Sequence, residues 1–450
     1  MNKTTKWLAV GATSMAMLGM VAGCGTSSTS NTSTSNTSTG AATSSSKPID
    51  LTVMSWNVAA NTLQGDAKLY EKLHPNVHIH VIVEDSTTNT YTKLNTELAA
   101  GSGVPDIMSI ESSMAPSFIS KFPNSFMNVT NQVANLKSDF PSPKWAALTY
   151  DGKIYGVPWD IGPTMVFYRR DMFKAAGIQA KDIKTWNDYI QAGLKLQKHF
   201  GDKVKLTAWG SGSTGLFKVM MNEQGKFIFN KDGQITVNDK AGVRALKVMQ
   251  ELYQDKLISV VPYANAWDDT IQQFVNNEIA TAPAAIWYVG TIEQSAPSQA
   301  GKWGVFPTPA FTANGNHAAN LGGSNLLISK NTPHPKTAFS FAKFCMTNTK
   351  ALNISMKYGI FPSYEPYYTN NPLISKPLSF FGGQKVFQIA ANEVPNIAPA
   401  YHTAGFEAAH SILVNVFQQA VLQNQPAQQA LDSAAKQIAS QTGQKIATGS

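Results

Sequence analysis

Cysteine is almost missing from this sequence: 450 residues hold two, Cys24 and Cys345. Cys24 sits in a leader-like start, which leaves Cys345 alone, with no disulfide partner and no cysteine zinc site. Charge is sparse as well, at 14% of residues. The formal charge is +8, and taking away Lys3 and Lys6 leaves +6. The basic residues are scattered and never form a run, which argues against a nucleic-acid surface; a positive chain also suits life beside an anionic envelope. After the first two dozen positions no stretch supplies the roughly 20 consecutive apolar residues of a membrane-spanning helix. Catalytic signatures are lacking too: there is no G-x-S-x-G elbow, no H-E-x-x-H pair and no Walker loop.

What is present begins at the N-terminus. Lys3 and Lys6 precede an apolar stretch from Trp7 to Ala22, broken only by small or hydroxyl residues. It is short for a membrane span and ends in small residues, as a secretory signal does. The run Val21-Ala22-Gly23-Cys24 looks like a bacterial lipobox, so residues 1–23 read as a lipoprotein signal peptide and Cys24 as the site of lipidation. Gly25 to Ser46 is almost entirely Ser, Thr, Asn, Gly and Ala. With no apolar surface to offset the entropy of ordering, residues 24–47 read as a flexible, lipid-anchored leash. The expected address is the outer face of a cell membrane.

From residue 48 the pattern is that of an α/β protein. Ile49 to Trp56 reads as a strand, and Leu63, Ala67, Tyr70 and Leu73 share a helix face. Val77, Ile79, Val81 and Val83 alternate as in a strand; Tyr91, Leu94 and Leu98 return to helical spacing, and Asp106 to Ile110 is a short apolar strand. This β-α-β-α-β order predicts a parallel sheet covered by helices. A second α/β region starts after Gly162-Pro163. Thr164 to Tyr168 reads as a strand, and Thr185 with Asp188 makes a capping box. Arg244 to Leu257, Thr337 to Met346, Glu407 to Leu422 and Pro426 to Ile438 read as helices. Cys345 falls inside an apolar helix and reads as a small core residue.

Two motifs lead nowhere. Gly210-x-Gly212-x-x-Gly215 matches a dinucleotide fingerprint, but no acid closes a following strand. His74, His78 and His80 invite a metal, yet lack further ligands nearby and read as an exposed strand face. No metal and no cofactor are expected.

Four passages, in this order, carry a family likeness: YDGKIYGVPWDIGPTMVFYRRDMFKAAGI from Tyr150, FVNNEIATAPAAIWYVG from Phe274, NLGGSNLLISKNTPHPKTAFSFAKF from Asn320 with GIFPSYEPYY behind it, and VPNIAPAYHTAGFEAA from Val394. Together they resemble the family 1 extracellular solute-binding proteins, the maltose-binding-like group of ABC importers. The resemblance implies a two-lobed, periplasmic-binding-protein-like clamp of class II type, each lobe a mostly parallel sheet flanked by helices and joined by a hinge. Residues 48–160 with 324–361 would form the N-terminal lobe, and 161–323 with 362–450 the C-terminal lobe. The chain would cross near Asp160 to Pro163, near Leu321 to Ser324, and again after about Phe361. It implies a monomer that hands its ligand to the transmembrane permease of an ABC importer, and no enzyme.

A sugar cleft mixes aromatic rings, which cover apolar C–H faces, with fixed donors and acceptors for hydroxyls. The sequence sets such residues at strand ends, where open sheets bind ligands: Trp56-Asn57, Glu111-Ser112-Ser113, Trp159-Asp160, Trp209 and Trp287-Tyr288. The resemblance carries over Asn57, Glu111 to Ser113, Asp160, Trp209, Trp287 and Phe406 as ligand contacts. Tyr364 joins them from the third passage, and Gly322-Gly323 would let backbone approach the ligand. The expected ligand is a sugar, an oligosaccharide before a single unit. Where the family's sugar binders often place acids after the first strand, this chain has Val58-Ala59-Ala60-Asn61. Two alternatives from other classes stay open: a glycosidase using a distant pair such as Glu111 and Asp160, and a surface carbohydrate adhesin.

Overall fold

The computed structural model describes residues 47–369 and 371–448. The signal peptide, Cys24 and the Ser/Thr-rich leash, up to residue 46, lie outside the described residues. β1 (Ile49–Trp56) leads through the helix Asn57–Leu73 to β2 (Val77–Glu84), and through the helix Thr87–Ala100 to β3 (Ile107–Glu111). β1 lies between β2 and β3 and runs parallel to both. Its residues from Val53 to Trp56 are all buried, as befits a central strand, while edge strand β2 exposes His78 and His80 beside half-buried Ile79 and Val81. Among the described residues no group of three or more His, Cys, Asp or Glu could hold a metal. Local signals set the helix ends. The Ser86 hydroxyl accepts the Asn89 N–H at 3.2 Å, and Gly101 turns left-handed at φ 66° to stop the same helix.

A hairpin of β4 (Thr149–Tyr150) and β5 (Lys153–Ile154) leads to β6 (Val157–Pro158), and the chain then crosses to β7 (Thr164–Arg169). β8 (Thr207–Gly210), β9 (Ile258–Val261), β10 (Thr281–Ala285) and β11 (Trp303–Pro307) follow. β12 (Ser324–Ile328) returns to the first sheet, whose order is β2-β1-β3-β12-β6. The capping box appears as expected, with the Thr185 hydroxyl and the Asp188 carboxylate each bonded to the other's backbone N–H.

The sheets are less parallel than the resemblance implies. β12 is antiparallel to β3 and β6, and β7 is antiparallel to β10 and β11; β1 with β2 and β3, and β8 with β9, keep the parallel sense. β7 and β12 arrive from the opposite sheet rather than through a covering helix, so no βαβ crossover dictates their direction.

Packing divides into three cores. One core gathers Val53, Leu63, Ile110, Phe118, Trp159, Leu327, Phe341 and Cys345 around β1, β3 and β12. A second packs the helices 186–200, 240–254, 406–422 and 427–442 around Trp186, Phe217, Leu246 and Phe417. A third fills the other face of β7 and β10 with Phe167, Phe274, Trp303 and Phe381, and takes in Leu352, Met356 and Phe361. Fully burying one such aromatic or Leu side chain contributes about 1.5–3 kcal/mol. Cys345 is enclosed in the first core, as read. Among the described residues no helix is long and apolar enough to cross a membrane.

Candidate functional site

Three chain segments pass side by side between the sheets. The Ile161 N–H bonds the Phe361 carbonyl and the Leu321 N–H the Gly162 carbonyl, both at 2.9 Å, while the Ser363 N–H reaches the Trp159 carbonyl at 3.1 Å. Gly322 and Gly323 sit in this band at φ 85° and 90°. A Cβ on Gly323 would lie 2.7 Å from the Asp160 carbonyl oxygen, so glycine is required there twice over, by conformation and by space.

A buried polar cluster grips the band. The Lys144 ammonium donates to the Ser112 hydroxyl at 2.7 Å and to the Ser324 carbonyl at 2.9 Å. Asp160 accepts the Ser324 N–H at 2.6 Å. Burial pulls the Lys144 ammonium down to about 8 against the pull of Asp160, and pushes the Asp160 carboxyl up to about 6 against that of Lys144. Ser112 also accepts from the Asn325 amide at 3.2 Å, and its own N–H bonds the Gly323 carbonyl at 2.8 Å. With both acceptor positions of its oxygen engaged, the Ser112 O–H remains free to donate.

Beside Ser112, Glu111 ends β3. The Tyr91 hydroxyl donates to its carboxylate at 3.1 Å and accepts its N–H at 3.0 Å. Burial raises the Glu111 carboxyl, and Lys218 opposes the shift; Lys218 is in turn lowered by burial and supported by Glu111. Lys218 belongs to the helix Gly215–Glu223, whose Phe217 and Val219 pack into the second core. An acid at the end of the first sheet and a base on a helix of the second core thus act on each other electrostatically. The Lys218 nitrogen also stands 5.8 Å over the Phe406 ring.

Aromatic rings complete the site. The half-buried Trp287 donates its indole N–H to the Leu321 carbonyl at 3.2 Å, directly before Gly322. Trp267 lies 5.9 Å from it, centroid to centroid, and is 46% exposed. Tyr263, 45% exposed, has its hydroxyl 3.2 Å from His410 Nε2, and Thr214 Oγ1 is 3.2 Å from His410 Nδ1.

The sequence-read residues divide. Glu111, Ser112, Trp287, Gly322 and Gly323 come together around the band, and half-buried Ser113 follows them. Asn57 is exposed at the first turn of its helix, and Trp56 is buried edge-on to Tyr91. Asp160 is spent on Ser324. Four aromatics lie inside the packing instead. Trp159 is 1% exposed in the first core, Trp209 points into the second with its N–H bonded to the Ser213 carbonyl, Tyr288 belongs to the third, and Phe406 is buried under His402 and His410. Trp159 and Trp209 lie at the strand ends where they were expected, but the packing of a core reaches those ends, so position alone does not aim a ring outward. Trp287 and Tyr288 open the helix Tyr288–Ser295 rather than end a strand. Tyr364 is half-buried against Phe140.

Lys144, Lys218, His410, Tyr263 and Trp267 were not legible as site residues. Trp267 shares the i, i+4, i+7 stripe of Ile271 and buried Phe274, the spacing of a core face, yet it stands exposed. The glycine fingerprint has a packing role: Gly212, at φ 98°, would put a Cβ 2.6 Å from the Val414 carbonyl oxygen.

The family profile described as bacterial extracellular solute-binding protein matches residues 67–380. A lactose-binding protein of Rhizobium radiobacter is 29% identical over 390 residues, covering 84% of this chain and 88% of its own. An arabinooligosaccharide-binding protein of Bacillus subtilis (strain 168) is 27% identical over 361 residues, or 77% and 82% of the two chains. Among solved structures, an ABC transporter associated binding protein from B. animalis subsp. lactis Bl-04, in complex with β-1,6-galactobiose, superposes with a TM-score of 0.75 at 25% identity, over 89% of this chain and 100% of its own. The GacH receptor of Streptomyces glaucescens shares the fold at the same TM-score and 18% identity, over 89% and 100% of the chains.

Proposed function

Because the chain belongs to the bacterial extracellular solute-binding proteins, a family that binds solutes rather than converting them, we propose that it captures a short oligosaccharide outside the cell and delivers it to the permease of an ABC importer. The observation that carries this reading is the convergence of the end of β3, Glu111-Ser112, and the Trp287 indole on Gly322-Gly323, through the Ser112 N–H on the Gly323 carbonyl and the indole N–H on the Leu321 carbonyl. Such a site offers a sugar both of its needs: a ring for the C–H face, and fixed donors and acceptors for hydroxyls. The relatives that bind lactose and arabinooligosaccharides support the same class of ligand.

The mechanism is a closure. Residues 48–160 with 324–361 move as one lobe, and 161–323 with 362–450 as the other, about the three-segment band. Ligand bridges Asn57 and Glu111 to Ser113 on one side and Trp287 on the other, so it stabilises the shut form that the permease reads. The Ser112 O–H donates to a ligand oxygen, and backbone at Gly322-Gly323 approaches the sugar closely. The Cys24 thiol carries a diacylglycerol, and the leash to residue 47 holds a monomer at the membrane.

Calorimetric titration with neutral mono-, di- and trisaccharides tests the reading, with dissociation constants near micromolar expected, about −8 kcal/mol. No heat with any carbohydrate, together with unchanged X-ray scattering, would refute it. Replacing Cys24 by Ala should release the protein into the medium and abolish palmitate labelling.

A further inference from the structure

A lysine is seldom enclosed, because its ammonium is strongly hydrated. Lys144 is 4% exposed. It belongs to the short helix Ser142–Ala146, which its neighbour Trp145 pins by donating the indole N–H to the Lys137 carbonyl at 3.0 Å. Its ammonium joins a proposed ligand contact, the Ser112 hydroxyl, to the Ser324 carbonyl of the second crossing segment. Three titratable groups surround it. Asp160 on the first crossing segment supports its charge, Glu111 at the end of β3 acts on Asp160, and His402 is lowered by burial, by Lys218 and also by Lys144.

The direction of one hydrogen bond depends on the Lys144 proton. An ammonium can only donate. Ser112 Oγ therefore accepts from Lys144 at 2.7 Å and from the Asn325 amide at 3.2 Å, and its own hydrogen must point away from both. A neutral amine carries a lone pair, and at the same distance that lone pair takes the Ser112 hydrogen. We infer that Lys144 is a positioning residue for sugar capture: its proton keeps the Ser112 hydroxyl turned to the ligand as a donor, and release of that proton to solvent turns the hydroxyl inward. This rests on the carbohydrate reading above and deepens it. Burial, against the pull of Asp160, brings the ammonium down to about 8. The donor is thus present below that pH and withdrawn above it.

The test is calorimetric titration from pH 6.5 to 9.5 with lactose, β-1,6-galactobiose and arabinotriose, which stay uncharged throughout. For each sugar that binds, wild-type affinity should be level up to about pH 7.5 and fall about tenfold by pH 9.5. Ser112→Ala has no hydroxyl to turn; it should bind about tenfold more weakly at pH 7 and show no fall. Lys144→Met should also give a weak, level profile; if it does not fold, Ser112→Ala carries the test alone. Glu223 is likewise pushed up to about 8 by burial, but it lies against Trp186 and Arg244. A fall that survives in Ser112→Ala belongs to such another group and overturns the role of Lys144. A level wild-type profile overturns it too, and leaves sugar binding in place. If none of the three sugars binds at pH 7, the carbohydrate reading falls and this role with it.

Discussion

Replacing Gly323 by Ala tests the crossing band most directly. Gly323 has φ 90°, and an added Cβ would lie 2.7 Å from the Asp160 carbonyl oxygen and 3.2 Å from Ile161 Cα. Left-handed backbone costs a residue with a Cβ about 1–2 kcal/mol. Relieving the contact requires a crossing segment to move, and that segment carries the bond from Ser112 N–H to the Gly323 carbonyl; losing one such bond costs about 1 kcal/mol. The sum is about 3 kcal/mol. At about 2.1 cal/mol/K of melting entropy per residue, some 400 folded residues give about 0.8 kcal/mol/K, so Tm should fall by about 4 °C. Gly383 is the matched control, with φ 82° and nothing within 4 Å of an added Cβ. Gly383→Ala bears the conformational cost alone and should lose about 2 °C. Calorimetric melting of both variants decides: equal shifts would show that the close approach at Asp160 contributes nothing.

Trp287→Ala should weaken sugar binding at least tenfold, about 1.4 kcal/mol, with Tm lowered only slightly; an unchanged titration removes Trp287 from the site. Asp66 is buried with no hydrogen-bond partner beyond the Cys345 thiol, and burial raises its carboxyl well above the usual range. The native state therefore holds this proton longer than the unfolded chain does, so its contribution to stability declines as pH rises above about 4. Asp66→Asn should remove that slope in urea unfolding measured from pH 4 to 8; identical slopes would contradict it. His402 and His410 are pushed down to about 3 and about 4, chiefly by burial and next by Lys218. Unfolded imidazoles take up protons near pH 6.5, so stability is intact above that and falls as pH drops toward 4. His410→Gln should flatten part of this loss, and a variant that tracks the wild type through acid unfolding would refute the assignment.

Much of the fold is written locally. The alternation of Val77, Ile79 and Val81, the helical spacing of Tyr91, Leu94 and Leu98, and the Thr185–Asp188 box each appear where they were read, because period and capping depend on near neighbours. Strand direction in β7 and β12 was not legible, since Leu327 finds Met108 more than two hundred residues away. The site divides in the same way. Glu111 and Ser112 are marked by ending an apolar strand. Lys144 and Lys218 are not marked at all, because a lysine in mixed sequence is ordinarily solvated and its burial is decided by elements far along the chain. Trp159 and Trp209 share the strand-end position of Trp56, and only packing tells which face each ring takes.

The enclosed Cys345 has a practical consequence. In protein from which residues 1–24 have been removed it is the one thiol left, and it is shielded inside the first core. A cysteine introduced at an exposed rim position away from the proposed ligand contacts would then be the single reactive handle on the native molecule. A fluorophore attached there would report movement of the rim with no competing label, turning the protein into an optical gauge of its own ligand.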